Sequence, residues 1–160
     1  MMGLTAATAA LLITSYVCAL EEGARAPAFS GQALTGNQTL SLADHRGSVV
    51  VVDFWASWCE PCREAMPAIE RIYQRYRSSG LVVIGVSVDS GADDARSFYR
   101  ERGVSFPSLV DADRSIAGRY RPPTMPSTFV IDRRGVVRHV HSGFRAGDAR
   151  TLEAQIRELL

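Results

Sequence analysis

Cysteine is scarce in this chain of 160 residues: there are three, Cys18, Cys59 and Cys62. Three cannot form the crossed bridges of a disulfide-stapled scaffold, and a four-cysteine zinc site is out of reach within one chain. Net charge is nearly absent too. A formal charge of +1 gives no whole-molecule attraction for nucleic acid or acidic membranes, and no nucleic-acid partner is expected. Internal repeats and low-complexity segments are missing. No charged residue and no proline occurs before Glu21. That opening stretch, "MGLTAATAALLITSYVCAL" (2–20), is short for a membrane span and reads as an export signal or a membrane tether. "VCA" at 17–19 permits cleavage after Ala19. No Lys or Arg leads the run, and Tyr16 and Val17 stand where a lipoprotein signal has small residues before its cysteine.

What remains is the composition of one ordinary globular domain, with 46% apolar and 22% charged residues. A domain near this size buries roughly 70% of its unfolded surface and folds without disulfide staples. Residues 21–28, "EEGARAPA", read as a linker between the leader and a domain over 29–160. "FSGQAL" (29–34) and "QTLSL" (38–42) flank "TGN" as a β-hairpin. "SVVVVDFWA" (48–56) is apolar on both alternating faces, the pattern of a strand buried inside a parallel or mixed sheet. A helix is expected from Cys59, with Cys62, Met66, Ile69, Ile72, Tyr73 and Tyr76 on one stripe and Pro67 inside. Then follow a strand at 81–89, a helix at 93–103 ended by Gly103, a short strand at 106–111 and a short helix at 114–120. Runs at 127–132 and 135–143 form an antiparallel hairpin, and 148–160 closes the chain as an amphipathic helix with Asp148 as N-cap. This order predicts an α/β fold: a mixed sheet with helices on both faces.

The stretch "DFWASWCEPC" (53–62) carries the chemistry. A cysteine pair with two intervening residues, behind a buried strand and ahead of a helix, brings two sulfurs within bonding reach. The first then lies near unpaired N–H groups and the positive helix end, which favour a thiolate. Cys59 is therefore the expected exposed nucleophile and Cys62 the covered partner that resolves a mixed disulfide. Asp53, inside the apolar run, needs a proton or a partner; we expect it to take the proton of Cys62. Glu60, beside Cys59, is a candidate for redox tuning, because a neighbouring anion raises a thiol's pKa and pushes the pair towards a reductant. Trp58 and Met125, with Pro61, would frame an apolar platform for a substrate chain.

"VDFWASWCEPC" closely resembles the thioredoxin active-site stretch, and "PTMPSTFVID" (123–132) resembles that superfamily's cis-proline strand. The resemblance makes Pro126 the cis residue, preceded by Met125. The hairpin at 29–42 and the strand–helix insertion around 90–120 are similar to the TlpA/ResA-like branch of extracytoplasmic thiol–disulfide oxidoreductases, related to the redoxin and AhpC/TSA proteins. "WCEPCREAMP" resembles that branch's pattern with one departure. The glutamate often found three residues after the second cysteine is replaced by Ala65, and Glu64 stands one place earlier. The resemblance covers about residues 26–160. It implies a thioredoxin fold with an extra N-terminal hairpin and a central insertion. It implies an exported or tethered monomer that reduces protein disulfides, apocytochrome c among its substrates, with a membrane thiol reductase upstream. No cofactor and no resident metal are expected.

Three rivals stand beside this reading. His139 and His141 alternate along one strand, so with His45 or the cysteines they could make a copper or zinc site. A thiol peroxidase would use one activated cysteine, and the region 81–120 also resembles peroxiredoxins. A non-catalytic binding module would use Trp58 and Met125 as a peptide platform.

Overall fold

Four consecutive valines leading into Asp53, Phe54 and Trp55 offer no polar face, and Val49–Trp55 is buried along its whole length. The computed structural model describes residues 19–160; the stretch read as an export signal, with Cys18, lies outside the described residues up to position 18. In chain order the strands are β1 (Ser30–Gln32), β2 (Thr39–Ser41), β3 (Val49–Trp55), β4 (Leu81–Ser87), β5 (Ser108–Val110), β6 (Ser127–Ile131) and β7 (Val137–Ser142). The helices are α1 (Cys62–Tyr76), α2 (Ala92–Arg102), α3 (Ser115–Tyr120) and α4 (Asp148–Leu159), with short 3₁₀ turns at Leu42–His45 and Arg77–Ser79.

The sheet runs β5-β4-β3-β6-β7, with β3 parallel to β4 and antiparallel to β6. It is the mixed sheet expected from the element order, with β3 at its centre. β1 and β2 form a separate antiparallel pair whose following residue, Ala33, bridges Leu109 of β5. Leu34 N–H also donates to Ser108 O at 2.6 Å, so the hairpin covers the β5 edge that would otherwise present unpaired backbone. Among the described residues no helix is long and apolar enough to cross a membrane.

Adjacent residues of β3 show that both faces are covered. Phe54 points to α3, with its ring 5.4 Å from Tyr120 of that helix and 5.7 Å from Phe129 of β6. Tyr120 also packs on Phe129 and Phe29, at 5.2 and 5.8 Å. Trp55 points the other way and stacks on Phe98 of α2 at 5.6 Å, with the Arg63 guanidinium of α1 at 5.1 Å from the same ring. α1 therefore covers the face of Trp55 and, two residues earlier, of Asp53.

Three expectations need correction. The helix begins at Cys62 and not at Cys59, because Cys59 N–H turns back to Ala56 O at 3.1 Å and Pro61 stands at the N-cap. Residues 21–28 are not a free linker: Gly23 N–H donates to Val137 O at 2.7 Å, Val137 N–H to Ala24 O at 2.9 Å and Ala26 N–H to Gly135 O at 3.0 Å. Their backbone is docked while most side chains face solvent, which is why the composition looks like a linker. The N-cap of α4 is Gly147, in the left-handed region at φ 99°, and Asp148 instead accepts Arg145 N–H at 2.7 Å.

Gly85 of β4 allows a close approach. A Cβ there would lie 2.4 Å from Ser108 Oγ, 2.8 Å from Trp55 Nε1 and 3.1 Å from Phe106. It keeps clear the buried bond in which Trp55 Nε1–H donates to Ser108 Oγ at 3.0 Å. Gly85→Ala is expected to lower the folding stability by about 1–3 kcal/mol, measured as a fall in the denaturant midpoint. An unchanged midpoint would contradict this account of the packing.

Candidate active site

The chain leaves the carboxyl end of β3 at Trp55, turns through 56–61 and enters α1. Within that turn Cys59 and Cys62 are joined by a disulfide, with Cα atoms 5.4 Å apart. Cys62 N–H points at Cys59 Sγ at 3.3 Å. It belongs to the first turn of α1, where N–H groups lack helical partners, so the helix end favours negative charge on Cys59 even though the helix starts later than expected. The expected exposure of Cys59 is not found: it keeps 3% of its surface and Cys62 none. In the disulfide each sulfur is covered by the other, and the more open of the two is still Cys59.

Trp58 is 64% exposed, and among the described residues it is the one large hydrophobic side chain left in solvent. Pro61 is exposed at the helix entrance and Met125 is half-buried. The Met125–Pro126 peptide bond is cis. Ser127, the next residue, pairs with Phe54 in the antiparallel β3–β6 register, so Pro126 lies level with the end of β3 from which the cysteine turn departs.

Asp53 is completely buried. Its register partners are Gly85 on β4 and Thr128 on β6. The Thr128 hydroxyl donates to Oδ1 at 2.8 Å, while Oδ2 has no hydrogen-bond partner among the described residues. Burial without a cation pushes its pKa up to about 7, against the smaller lowering by Thr128. A carboxyl half-ionised near neutrality can both take and return a proton, and Asp53 sits under the helix whose first residue is Cys62.

Glu60 does not stand alone beside the sulfur. Its side chain, 87% exposed, pairs with Arg63 Nε at 3.1 Å, and Arg63 also reaches Glu101 at 3.5 Å. Solvent and this partner offset its charge, so Glu60 has less leverage on Cys59 than its position in sequence suggests. Glu64 is exposed on α1, whereas Ala65 is buried. His139 faces Glu22 at 3.8 Å and His141 Nε2 bonds Gln155 Oε1 at 2.6 Å. His45 lies before β3, at the opposite end of the strand from the cysteines. Among the described residues, no group of three His, Cys, Asp or Glu side chains could hold a metal ion.

Thr128 is one of two residues that sequence reasoning missed. In the sequence it is one residue inside the strand run at 127–132, and its role depends on a pairing register between residues 75 positions apart. Asp89 was also missed: it is 4% exposed and bonds Ser57 in the active-site turn. A carboxylate at the carboxyl end of an apolar parallel strand was the available signal, since that is where such sheets build their sites.

The buried carboxyl sets a pH dependence. Folded, Asp53 keeps its proton up to about pH 7; unfolded, it loses it near the ordinary value of 3.8. Between these limits the folded state binds more protons, so stability falls as pH rises from about 4 to 7 and is level above. Asp53→Asn is expected to remove this slope, gaining about 4 kcal/mol at pH 8 relative to pH 4. Chemical denaturation across pH 4–8 measures it, and parallel curves for the two proteins would contradict the burial account.

Comparison with known proteins gives one consistent result. Residues 23–140 match the model of the AhpC/TSA family. The thioredoxin-like protein YneN of Bacillus subtilis is 35% identical over 127 residues, 78% of this chain and 73% of that protein. The thiol-disulfide oxidoreductase ResA of the same organism is 32% identical over 124 residues, 78% of this chain and 69% of the relative. A solved structure from Chlorobium tepidum, described as a thiol:disulfide interchange protein DsbE, superposes with a TM-score of 0.83 at 37% identity, covering 88% of this chain and 99% of that one. With its cysteine pair at the end of the central strand, the chain belongs to the AhpC/TSA family and, within it, to the thioredoxin-fold thiol–disulfide oxidoreductases of the TlpA/ResA-like branch.

Proposed function

We propose that this oxidoreductase works as a reductant of protein disulfides in the cell envelope, with apocytochrome c among its substrates and a membrane thiol reductase as its electron source. The observation that carries the reading is the Cys59–Cys62 pair above a buried, partly unsatisfied Asp53. The similarity to ResA and the uncharged stretch 2–20 support the compartment.

The exchange runs in two steps. The Cys59 thiolate attacks one sulfur of the substrate disulfide, forming a mixed disulfide and releasing one substrate thiolate. Asp53 takes the proton of Cys62, whose thiolate attacks the Cys59 sulfur. The enzyme disulfide forms, the second substrate sulfur leaves as a thiolate, and two electrons have passed to the substrate. Its two thiolates take up protons from water while Asp53 releases the one it took. An upstream dithiol restores the reduced pair by the same steps in reverse. Trp58 and the Met125–Pro126 segment supply the docking surface for the substrate chain.

Cys62→Ser removes the resolving sulfur, so mixed disulfides through Cys59 should accumulate. Non-reducing electrophoresis of envelope extracts reads this out, and recovery of no Cys59-linked partner would count against the assigned roles. Asp53→Asn should slow resolution near neutral pH; an unchanged rate would remove Asp53 from the proton path. Direction is tested by titration against a glutathione or dithiothreitol series. A reduction potential near thioredoxin's, about −270 mV, is expected, and one near the strong oxidant value of about −120 mV would overturn the reductant reading.

A further inference from the structure

β3 and β4 part after their last rung, where Trp55 lies opposite Ser87. Val88 N–H still donates to Trp55 O at 2.9 Å, and beyond it one chain enters the cysteine turn while the other heads for α2. Asp89 spans the gap with its side chain. Ser57 N–H donates to both carboxylate oxygens, at 3.0 and 3.2 Å, and Ser57 Oγ–H to Oδ1 at 2.6 Å. Ser87 Oγ–H donates to Oδ2 at 2.6 Å and in turn accepts Asp89 N–H at 3.1 Å. Both side-chain oxygens of Asp89 are thus hydrogen-bonded while the residue is only 4% exposed.

We propose that Asp89 is a positioning residue for Cys59: by clamping the amide and hydroxyl of Ser57 it holds the turn that aims the attacking sulfur. The proposal rests on the reading of Cys59 as the nucleophile. Ahead of Cys59 the turn has, besides this clamp, the bond from Cys59 N–H to Ala56 O at 3.1 Å. Behind it, Cys59 Sγ accepts Cys62 N–H at 3.3 Å, Glu60 O accepts Arg63 N–H at 3.0 Å, Pro61 O accepts Ala65 N–H at 3.1 Å, and the disulfide ties Cys59 to α1. Reduction removes the disulfide, so the dithiol form depends on Asp89 more than the disulfide form does. That difference separates a positioning role from a general structural brace, which would support both redox forms equally.

The probe is dithiodipyridine, an uncharged aromatic disulfide. The Cys59 thiolate attacks it to give a mixed disulfide and one pyridinethione; Cys62 then displaces the second, leaving the protein disulfide. The attack rate is measured from pH 5 to 9 for the full chain, Asp89→Asn and Ser57→Ala, with melting temperatures of both redox forms. Asp89→Asn should lower the high-pH plateau rate about tenfold. Its dithiol form should lose more melting temperature than its disulfide form. Ser57→Ala keeps the carboxylate charge and the backbone bond, and should show a smaller fall in the same direction, so the effect is one of position and not of charge. If Asp89→Asn does not fold, Ser57→Ala carries the test alone. Unchanged plateau rates, or equal melting losses in the two redox forms, would overturn the proposal. A native chain inert towards the probe would overturn the exchange reading along with it, whereas equal rates in a reactive native chain and its variants overturn the positioning role alone.

Discussion

A carboxyl group held without a counter-charge in the central strand is the constraint on which the site depends. Among the described residues Asp53 meets one hydroxyl, from Thr128, and no cation, and its second oxygen has no partner there. An ionised carboxylate in such surroundings is costly, so its pKa rises to about 7. The fold bears this cost because every other side chain of β3 is apolar and buried, and because the sheet continues on both sides of the strand. In the proposed exchange the same burial makes Asp53 useful: a group with a pKa of about 7 beneath the first turn of α1 is placed to take the proton of Cys62.

The neighbouring packing keeps that turn in place. Trp55 is pinned from three directions: its indole N–H on Ser108, its ring on Phe98, and its backbone carbonyl on Val88 N–H. Gly85 leaves the space this arrangement needs. On the opposite face Phe54, Tyr120, Phe129 and Phe29 form a continuous aromatic cluster that ties α3 and the start of the domain to the same strand. The cysteine turn therefore departs from a fully buried end of the central strand, and the exposed ring of Trp58 is carried by a turn whose base is packed on both faces.

Legibility in the sequence varied with the range of the interactions involved. The valine run, the cysteine spacing and the helix stop at Gly103 act over a few residues, and each appears in the structure close to where the pattern put it. The entry to α1 was misplaced by three residues because Cys59 N–H closes a turn on Ala56 instead of starting the helix. Residues 21–28 looked like a linker because backbone docking leaves no trace in side-chain composition. Glu60 looked like a lone anion because its partner Arg63 becomes its neighbour only once the helical turn forms.

The sequence by itself determined the chemistry: two cysteines in the spacing of a closable pair, an aspartate in an apolar strand, and a proline before a second strand. These are properties of residue types and of short-range geometry, and a linear pattern can carry them. Tertiary structure alone decided which groups face Asp53, how the turn is clamped through Asp89 and Ser57, and that the charge of Glu60 is offset by Arg63. The first two depend on strand register and crossover between residues 32 to 75 positions apart. Register is settled by which faces bury together, and that is known only when the whole sheet has formed.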